Sequence, residues 1–248
     1  MAYLEGVYWD LDGTIANTEL EAHLPAFNKS FNDLGLSWYW DELTYINLLK
    51  INGGKNRIAY YAASIKEVID YEFIIKIHQK KQQIYLDLIE EGAVTLKDGV
   101  KRLINQLTSN NVRQFIVTSS SKIQVKSLIS KLFEDRNPFE FFVASEDVDS
   151  LKPDPSPYLK AINLSGINIE NSIACEDSYA GLISSKAANL SSIIIQSNIP
   201  IHFKKEDLTS SCLISSLGDV NSFSKVLIGP DSKKGYIDFD FINNFLNT

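Results

Sequence analysis

Apolar positions follow two rhythms along this chain of 248 residues. Gly6-Val7-Tyr8-Trp9 is a short apolar run stopped by the turn-forming Asp10-Leu11-Asp12-Gly13, which predicts a buried strand. From about Glu19 to Glu91 apolar residues instead recur every three or four positions: Leu24, Phe27, Phe31 and Leu34; Ile65, Val68 and Ile69; Ile84, Leu88 and Ile89. That spacing predicts helices with hardly a strand among them. Pro25 sits early in the first, where a helix tolerates it. After Gly92 the rhythms alternate. Helices predicted over Val100 to Leu107, Ile123 to Leu132, Tyr158 to Leu164 and Ala180 to Ala188 interleave with strands at Gln114 to Val117, Phe141 to Val143, Ser172 to Cys175 and Ser192 to Gln196.

Strands separated by helices predict parallel crossovers, hence an α/β fold: a Rossmann-like parallel sheet with helices on both faces. The helical block stands between the first strand and the rest. The economical reading is one core, residues 1–18 and 93–248, interrupted by an inserted α-helical cap over residues 19–92 that closes over it.

Composition narrows the setting. Hydrophobic residues at 44% and charged residues at 22% argue against long disorder. With 24 Lys and Arg against 31 Asp and Glu the formal net charge is -7, which suits neither nucleic acid nor an anionic membrane as a general partner. Cys175 and Cys212 alone build neither a disulfide framework nor a structural zinc site, so the reducing cytoplasm is the expected compartment. The N-terminal stretch carries Glu5, no basic run, and is broken by Asp10 and Asp12, so no signal peptide is expected. Apolar runs such as Ile193 to Ile195 are far short of a membrane helix. A monomer is expected.

Polar and charged residues gather where the predicted strands end. Asp10 and Asp12 follow the first, Thr118 to Ser121 the second, Lys152 lies beyond the third, and Glu176-Asp177 follow the fourth. In an open parallel sheet these ends share one edge, where ligands bind. Asp10, Asp12, Glu176 and Asp177 crowded together repel, so some carry protons or a cation sits among them. No His or Cys accompanies them, which disfavours zinc, and hard oxygen ligands suit Mg2+. Lys152 and a strand-end hydroxyl are what phosphoryl oxygens need. An Asp that attacks phosphorus divides one hard hydrolysis into two easier steps. Singly, each feature has a plainer reading: a turn at Asp10 to Gly13, a helix N-cap at Thr118 to Ser121, a solvated Lys152, a capping pair at Glu176-Asp177.

Together, Asp10-Leu11-Asp12-Gly13-Thr14, Thr118 after an apolar strand, Lys152-Pro153-Asp154-Pro155 and Glu176-Asp177-Ser178-Tyr179-Ala180-Gly181 resemble the four ordered motifs of the haloacid dehalogenase superfamily. The opening motif resembles its phosphatase and phosphomutase branch. The resemblance implies that Asp10 is the nucleophile that becomes an aspartyl phosphate. It implies that Asp12 protonates the departing sugar oxygen, activates water and offers its backbone carbonyl to metal. Thr118 and Lys152 would steady the phosphoryl oxygens, and Asp10, Glu176 and Asp177 would join Asp12 in holding Mg2+.

A finer likeness lies in the helical block. Gly35-Leu36-Ser37-Trp38-Tyr39-Trp40-Asp41, with Tyr45, Leu48, Leu49 and Gly53-Gly54-Lys55-Asn56-Arg57-Ile58, is similar to the cap of the CbbY-like sugar phosphatases. That likeness implies a small sugar phosphate as substrate, specifically xylulose-1,5-bisphosphate, an inhibitory misfire product of Rubisco. Asn56 stands where the family pattern has Glu, and the segment from Asp12 to His23 is one residue longer than the family spacing. Physically, Gly53 and Gly54 permit close backbone approach to a ligand, and the helix start offers N–H groups to an anion. Lys55 and Arg57 add charge. The plainer alternative is a glycine pair that ends the preceding helix, flanked by surface charges.

Ser119, Ser120, Ser121 and Lys122, at the start of the next core helix, form a candidate second anion site for a phosphate that is not cleaved. Glu19 and His23, in the linker and first cap helix, are candidate substrate contacts. Trp38 and Trp40 read as cap core and Cys175 as a buried small hydrophobe, while His78 and His202 have no nameable partner. The expected activity is that of a magnesium-dependent sugar-phosphate phosphatase. Two alternatives share the pattern: a sugar phosphomutase resembling β-phosphoglucomutase, and a regulatory binder without turnover. Retention of Asp10, Asp12, Lys152 and Asp177 together argues against the second.

Overall fold

The computed structural model describes residues 2–51, 53–134, 136–197, 203–204 and 206–247, so His202 falls outside it. Two compact units emerge, Met1–Ala16 with Leu96–Thr248 and, inserted between these segments, Asn17–Thr95. In chain order, β1 (Gly6–Trp9) precedes the helices α1 (Leu24–Asp33), α2 (Glu42–Leu48), α3 (Gly54–Ser64) and α4 (Tyr71–Glu90) of the smaller unit. The larger unit continues with α5 (Val100–Ser109), β2 (Arg113–Val117), α6 (Lys122–Phe133), β3 (Phe141–Val143), α7 (Ser156–Ser165) and β4 (Ser172–Glu176). It ends with α8 (Tyr179–Ala187), β5 (Ser191–Ile195), β6 (Ser211–Ile214), β7 (Val226–Ile228) and α9 (Phe239–Phe245).

The strands form one sheet in the order β3-β2-β1-β4-β5-β6-β7. All pair in parallel except β7, which runs antiparallel at the margin. Gly6 pairs with Arg113 on one side and Ser172 on the other, so β1 is central and buried on both faces. On one face Tyr8, Phe115 and Ala174 pack with Tyr158 and Ala161 of α7. On the opposite face the Trp9 indole donates to Gln114 at 3.2 Å, and the Gln114 amide donates to the Ile104 carbonyl of α5 at 3.2 Å. Helices therefore cover both faces. Because β1 neighbours β2 on one side and β4 on the other, the chain path reverses direction there. Ligands of such folds gather at the carboxyl ends of the strands beside that switch point.

Leu24, Phe27, Phe31, Trp38, Trp40 and Tyr45 belong to one core within the smaller unit. The Trp40 ring lies 4.6 Å from Phe27 and 4.9 Å from Phe31, so both tryptophans are structural. A π-turn at Glu19–His23 leads directly into α1. Pro25 accounts for it: with no N–H to offer and a ring that crowds the turn behind it, it widens the preceding turn, and the Leu24 N–H bonds back to Glu19. The expected helix through Ile65, Val68 and Ile69 is absent. Lys66 adopts a φ of 60° just after α3, and the Asp70 side chain caps α4 by accepting from the Phe73 amide at 2.6 Å. Val68 is fully exposed in the link between them. Among the described residues no helix is long and apolar enough to cross a membrane.

Candidate active site

The end of β1 delivers Asp10 to the centre of the sheet edge, where its amide donates to the Cys175 carbonyl of β4 at 2.9 Å. Lys152, buried, reaches the same place from far along the chain. Its ammonium donates to Asp10 Oδ1 at 2.7 Å, to Glu176 Oε1 at 2.5 Å and to the Val117 carbonyl at 2.6 Å. Glu176 is the last residue of β4, one place earlier than its expected position beyond the strand, and has no exposed surface. The Tyr158 hydroxyl also donates to its Oε1 at 2.5 Å. Thr118 is buried at the end of β2, and its hydroxyl oxygen accepts from the Ser120 amide at 3.1 Å.

Two glycines make the packing possible. A Cβ on Gly181, in the first turn of α8, would lie 1.8 Å from Glu176 Oε2. A Cβ on Gly13 would lie 2.1 Å from Asp177 Oδ2, and its φ of +84° also favours glycine. Neither Glu176 nor its partners can yield easily, so Gly181→Ala is expected to destabilise the larger unit by about 1–3 kcal/mol. Turnover should fall as well. Urea unfolding alongside a phosphatase assay checks both, and an alanine variant as stable as wild type contradicts the close packing.

Burial raises the Asp10 pKa to about 7, with Glu176 and Asp12 pushing the same way and the Lys152 ammonium opposing. Burial alone would lower the Lys152 pKa, but Asp10 and Glu176 hold it above its ordinary value. Asp10, Glu176 and Asp177 can each bring a carboxylate oxygen within 4.8 Å of the others. The donor set is all oxygen, buried and excess in negative charge, which fits a small hard divalent cation such as Mg2+. Lys152 occupies Oδ1 of Asp10 and Oε1 of Glu176, which leaves the second oxygen of each, with Asp177, to face a cation. The Asp12 carboxylate stands apart from that cluster and accepts from the Ser120 hydroxyl at 2.5 Å.

At the expected second anion site in the larger unit, Ser120, Ser121 and Lys122 already have partners within the chain. Gln124 Oε1 accepts from both the Ser121 amide and hydroxyl, at 3.1 and 2.8 Å. The Lys122 amide donates to the Glu146 carboxylate at 3.0 Å, and its ammonium pairs with Asp147 at 2.7 Å. The start of α6 thus carries its own carboxylate, which satisfies the positive helix end that an anion would otherwise use. Ser119 is exposed, and Ser120 serves Asp12.

Within the smaller unit, Glu19 accepts from the Tyr45 hydroxyl at 2.5 Å. Buried His23 stacks on Tyr85 at 4.3 Å between ring centroids, with Nδ1 2.5 Å from the Lys81 ammonium. Gly53 precedes α3 with a φ of 86°. The close approach that Gly54 permits is to the His78 ring, 2.8 Å from where a Cβ would stand. Burial, then the charges of Lys81, Lys55, His23 and Arg57, lower the His78 pKa to about 4. Arg57 donates through Nε to the Ile51 carbonyl at 2.9 Å. Sequence reasoning named His78 without a partner and did not name Lys81. The signal was their i, i+3 spacing on α4.

A buried ammonium among carboxylates at the switch point of a parallel sheet is an arrangement suited to phosphoryl chemistry. The chain belongs to the haloacid dehalogenase-like hydrolase family, whose model matches residues 7–195. It is 36% identical over 196 residues to Protein CbbY of Rhodobacter capsulatus, covering 78% of this chain and 86% of that protein. Among solved structures, CbbY from Rhodobacter sphaeroides in complex with phosphate is similar at a TM-score of 0.78 and 30% identity, over 88% of this chain and 96% of that one. A mutant of that CbbY, in complex with xylulose-1,5-bisphosphate, is similar at 0.72 and 31%, over 81% and 90%.

Proposed function

We propose that this chain is a magnesium-dependent phosphatase of xylulose-1,5-bisphosphate that works through an aspartyl phosphate on Asp10. The buried Lys152–Asp10–Glu176 arrangement carries the reading, because it keeps a carboxylate at a strand end beside a fixed ammonium. In this reading an Asp10 oxygen attacks phosphorus while Lys152 and Thr118 steady the phosphoryl oxygens. Asp12, oriented by the Ser120 hydroxyl, gives its proton to the departing sugar oxygen and then takes one from the water that hydrolyses the acyl phosphate. Mg2+, when held by Asp10, Asp177 and the Asp12 carbonyl, with Glu176 directly or through water, would supply positive charge against the phosphate.

Helices over residues 19–92 are assigned the role of cap, with residues 1–18 and 93–248 as the catalytic core. Their Gly53, Gly54, Lys55 and Arg57, with Glu19, His23 and Lys81, are assigned the sugar and the phosphate that is not cleaved. Support comes from the cationic character of that group and from the CbbY complex with xylulose-1,5-bisphosphate. Two free, buried cysteines are consistent with a cytoplasmic setting.

A panel of xylulose, ribulose and fructose bisphosphates, xylulose 5-phosphate and glucose 1-phosphate, with Mg2+, tests the reading. Charged hydrogen bonds to a second phosphate should favour xylulose-1,5-bisphosphate over its monophosphate by roughly 10- to 100-fold in kcat/KM. Equal rates for the two would remove the second-phosphate assignment. Conversion of glucose 1-phosphate to glucose 6-phosphate without phosphate release would make the enzyme a mutase.

A further inference from the structure

We propose that Lys97 is a positioning residue for this chemistry: its ammonium ties down the Gly13 carbonyl and so holds the turn that carries Asp12. The inference rests on the reading that Asp10 and Asp12 perform the reaction. Lys97 belongs to none of the four motifs, and beside Asp98 it looks like an ordinary solvated lysine. Its geometry is otherwise. The ammonium donates to the Gly13 carbonyl at 2.6 Å, across 84 positions of chain. Its own backbone N–H donates to the Ile15 carbonyl at 3.0 Å, and Leu96 bridges to Ala16. Side chain and backbone of one residue thus grip the same short turn at two points.

That turn has little freedom left. Its interior is closed by the Gly13 amide on the Ala16 carbonyl at 2.8 Å and the Ile15 amide on the Leu11 carbonyl at 3.0 Å. The Cα of Gly13 faces Asp177, too closely for a Cβ, and the Thr14 hydroxyl donates to Asp177 at 3.4 Å. Asp177 holds the turn by one surface while Lys97 holds its outward carbonyl. A charged donor on that carbonyl is stronger than a neutral one; burial lowers the Lys97 pKa below its ordinary value, and Asp177 and Asp10 oppose that shift. Small displacements of a reacting group cost large factors in rate. A lysine that fixes the Gly13–Thr14 peptide, one residue beyond Asp12, therefore acts on turnover without touching substrate.

Lys97→Met keeps the aliphatic stem and removes the donor. With Mg2+ and p-nitrophenyl phosphate, kcat should fall about 10- to 100-fold while KM stays within about threefold, the loss expected for one charged hydrogen bond. Lys97→Arg, which retains a charged donor, should recover most of the rate. Amide hydrogen exchange gives a readout independent of activity. Peptides covering residues 11–16 should exchange faster in the Met variant, with the sheet strands unchanged. Wild-type turnover in the same assay separates this idea from the phosphatase reading itself. A kcat within about threefold of wild type in Lys97→Met overturns the proposal. So does a rise in KM at unchanged kcat, which would make Lys97 a substrate contact. Faster exchange throughout the larger unit would make the lysine merely structural and overturn it too. If the Met variant does not fold, Lys97→Arg decides: rate and exchange near wild type support the tie, and a tenfold loss in a folded Arg variant refutes it.

Discussion

Asp10→Asn is expected to abolish turnover and, in the metal-free protein at pH 8, to raise stability. Asparagine keeps the shape of the side chain but loses the nucleophilic oxygen anion. The stability effect follows from the raised pKa. Asp10 in the folded chain titrates near 7 against an ordinary 3.8, so the native state binds a proton that the unfolded chain has released. Its favourable contribution is complete below the unfolded value and is lost as pH rises through about 7. Above that, wild type buries a charge in a carboxylate cluster, and the variant does not. We expect the variant to be more stable at pH 8 by on the order of 1–3 kcal/mol, and the difference to shrink or reverse at pH 5. Urea unfolding in chelator at both pH values, with a phosphatase assay in Mg2+, measures the two effects. Activity within about tenfold of wild type, a loss under ~1.4 kcal/mol, would falsify covalent catalysis through Asp10. Parallel pH profiles of stability would show that its buried charge is not the source of the slope.

Lys152→Met should be the most damaging change to stability. Lys152 is the cation shared by Asp10 and Glu176, and its removal leaves two buried carboxylates without a counter-charge. Breaking a buried ion pair on one side typically destabilises by about 3–5 kcal/mol. Turnover in whatever remains folded should fall at least about 100-fold, because the phosphoryl oxygens lose a fixed positive partner. The paired variant Lys152→Met with Glu176→Gln separates the effects. It removes one stranded charge and should regain part of the stability while staying inactive. A single Met variant within ~1 kcal/mol of wild type contradicts the buried triad, and an active double variant contradicts the role of Lys152 in catalysis.

Much of this architecture is legible in the chain because the central strands are buried on both faces. Val7-Tyr8-Trp9 and Phe115-Ile116-Val117 are therefore uninterrupted apolar runs with polar stops, and the stops are the site residues. The margin is harder. β7 has three residues and is largely exposed, so it lacks the apolar run that marks its neighbours. α9 was readable in principle, since Phe241, Ile242 and Phe245 have helical spacing behind the capping Asp238. The false helix at Ile65 to Ile69 shows the converse. Its end is set by Lys66 in a left-handed conformation, a residue type that gives no local warning.

In the site, acidic residues next to strand ends were visible, but their partners were not. That Ser120 serves Asp12, or that Glu146 and Asp147 take up Lys122, depends on which loops meet across the sheet edge. Lys97 and Lys81 were hidden for the same reason. A lysine's partner is spatial, and neither neighbouring sequence names it.

The central place of β1 also has a consequence for how the chain acquires its shape during synthesis. Gly6 must wait for Arg113 before it has one neighbour and for Ser172 before it has both. At about 5–20 residues per second, the second partner emerges roughly 8–30 s after the first strand. Until β2 emerges Val7, Tyr8 and Trp9 have no strand to pair with, and this apolar run is open to wrong association. The inserted helices shorten the delay in effect. Their contacts are local, they can form as soon as residue 95 is made, and Leu96 then lies bridged to Ala16. A closed insertion turns a loop of about a hundred residues into a short one, so β2 meets β1 at a much smaller cost in chain entropy.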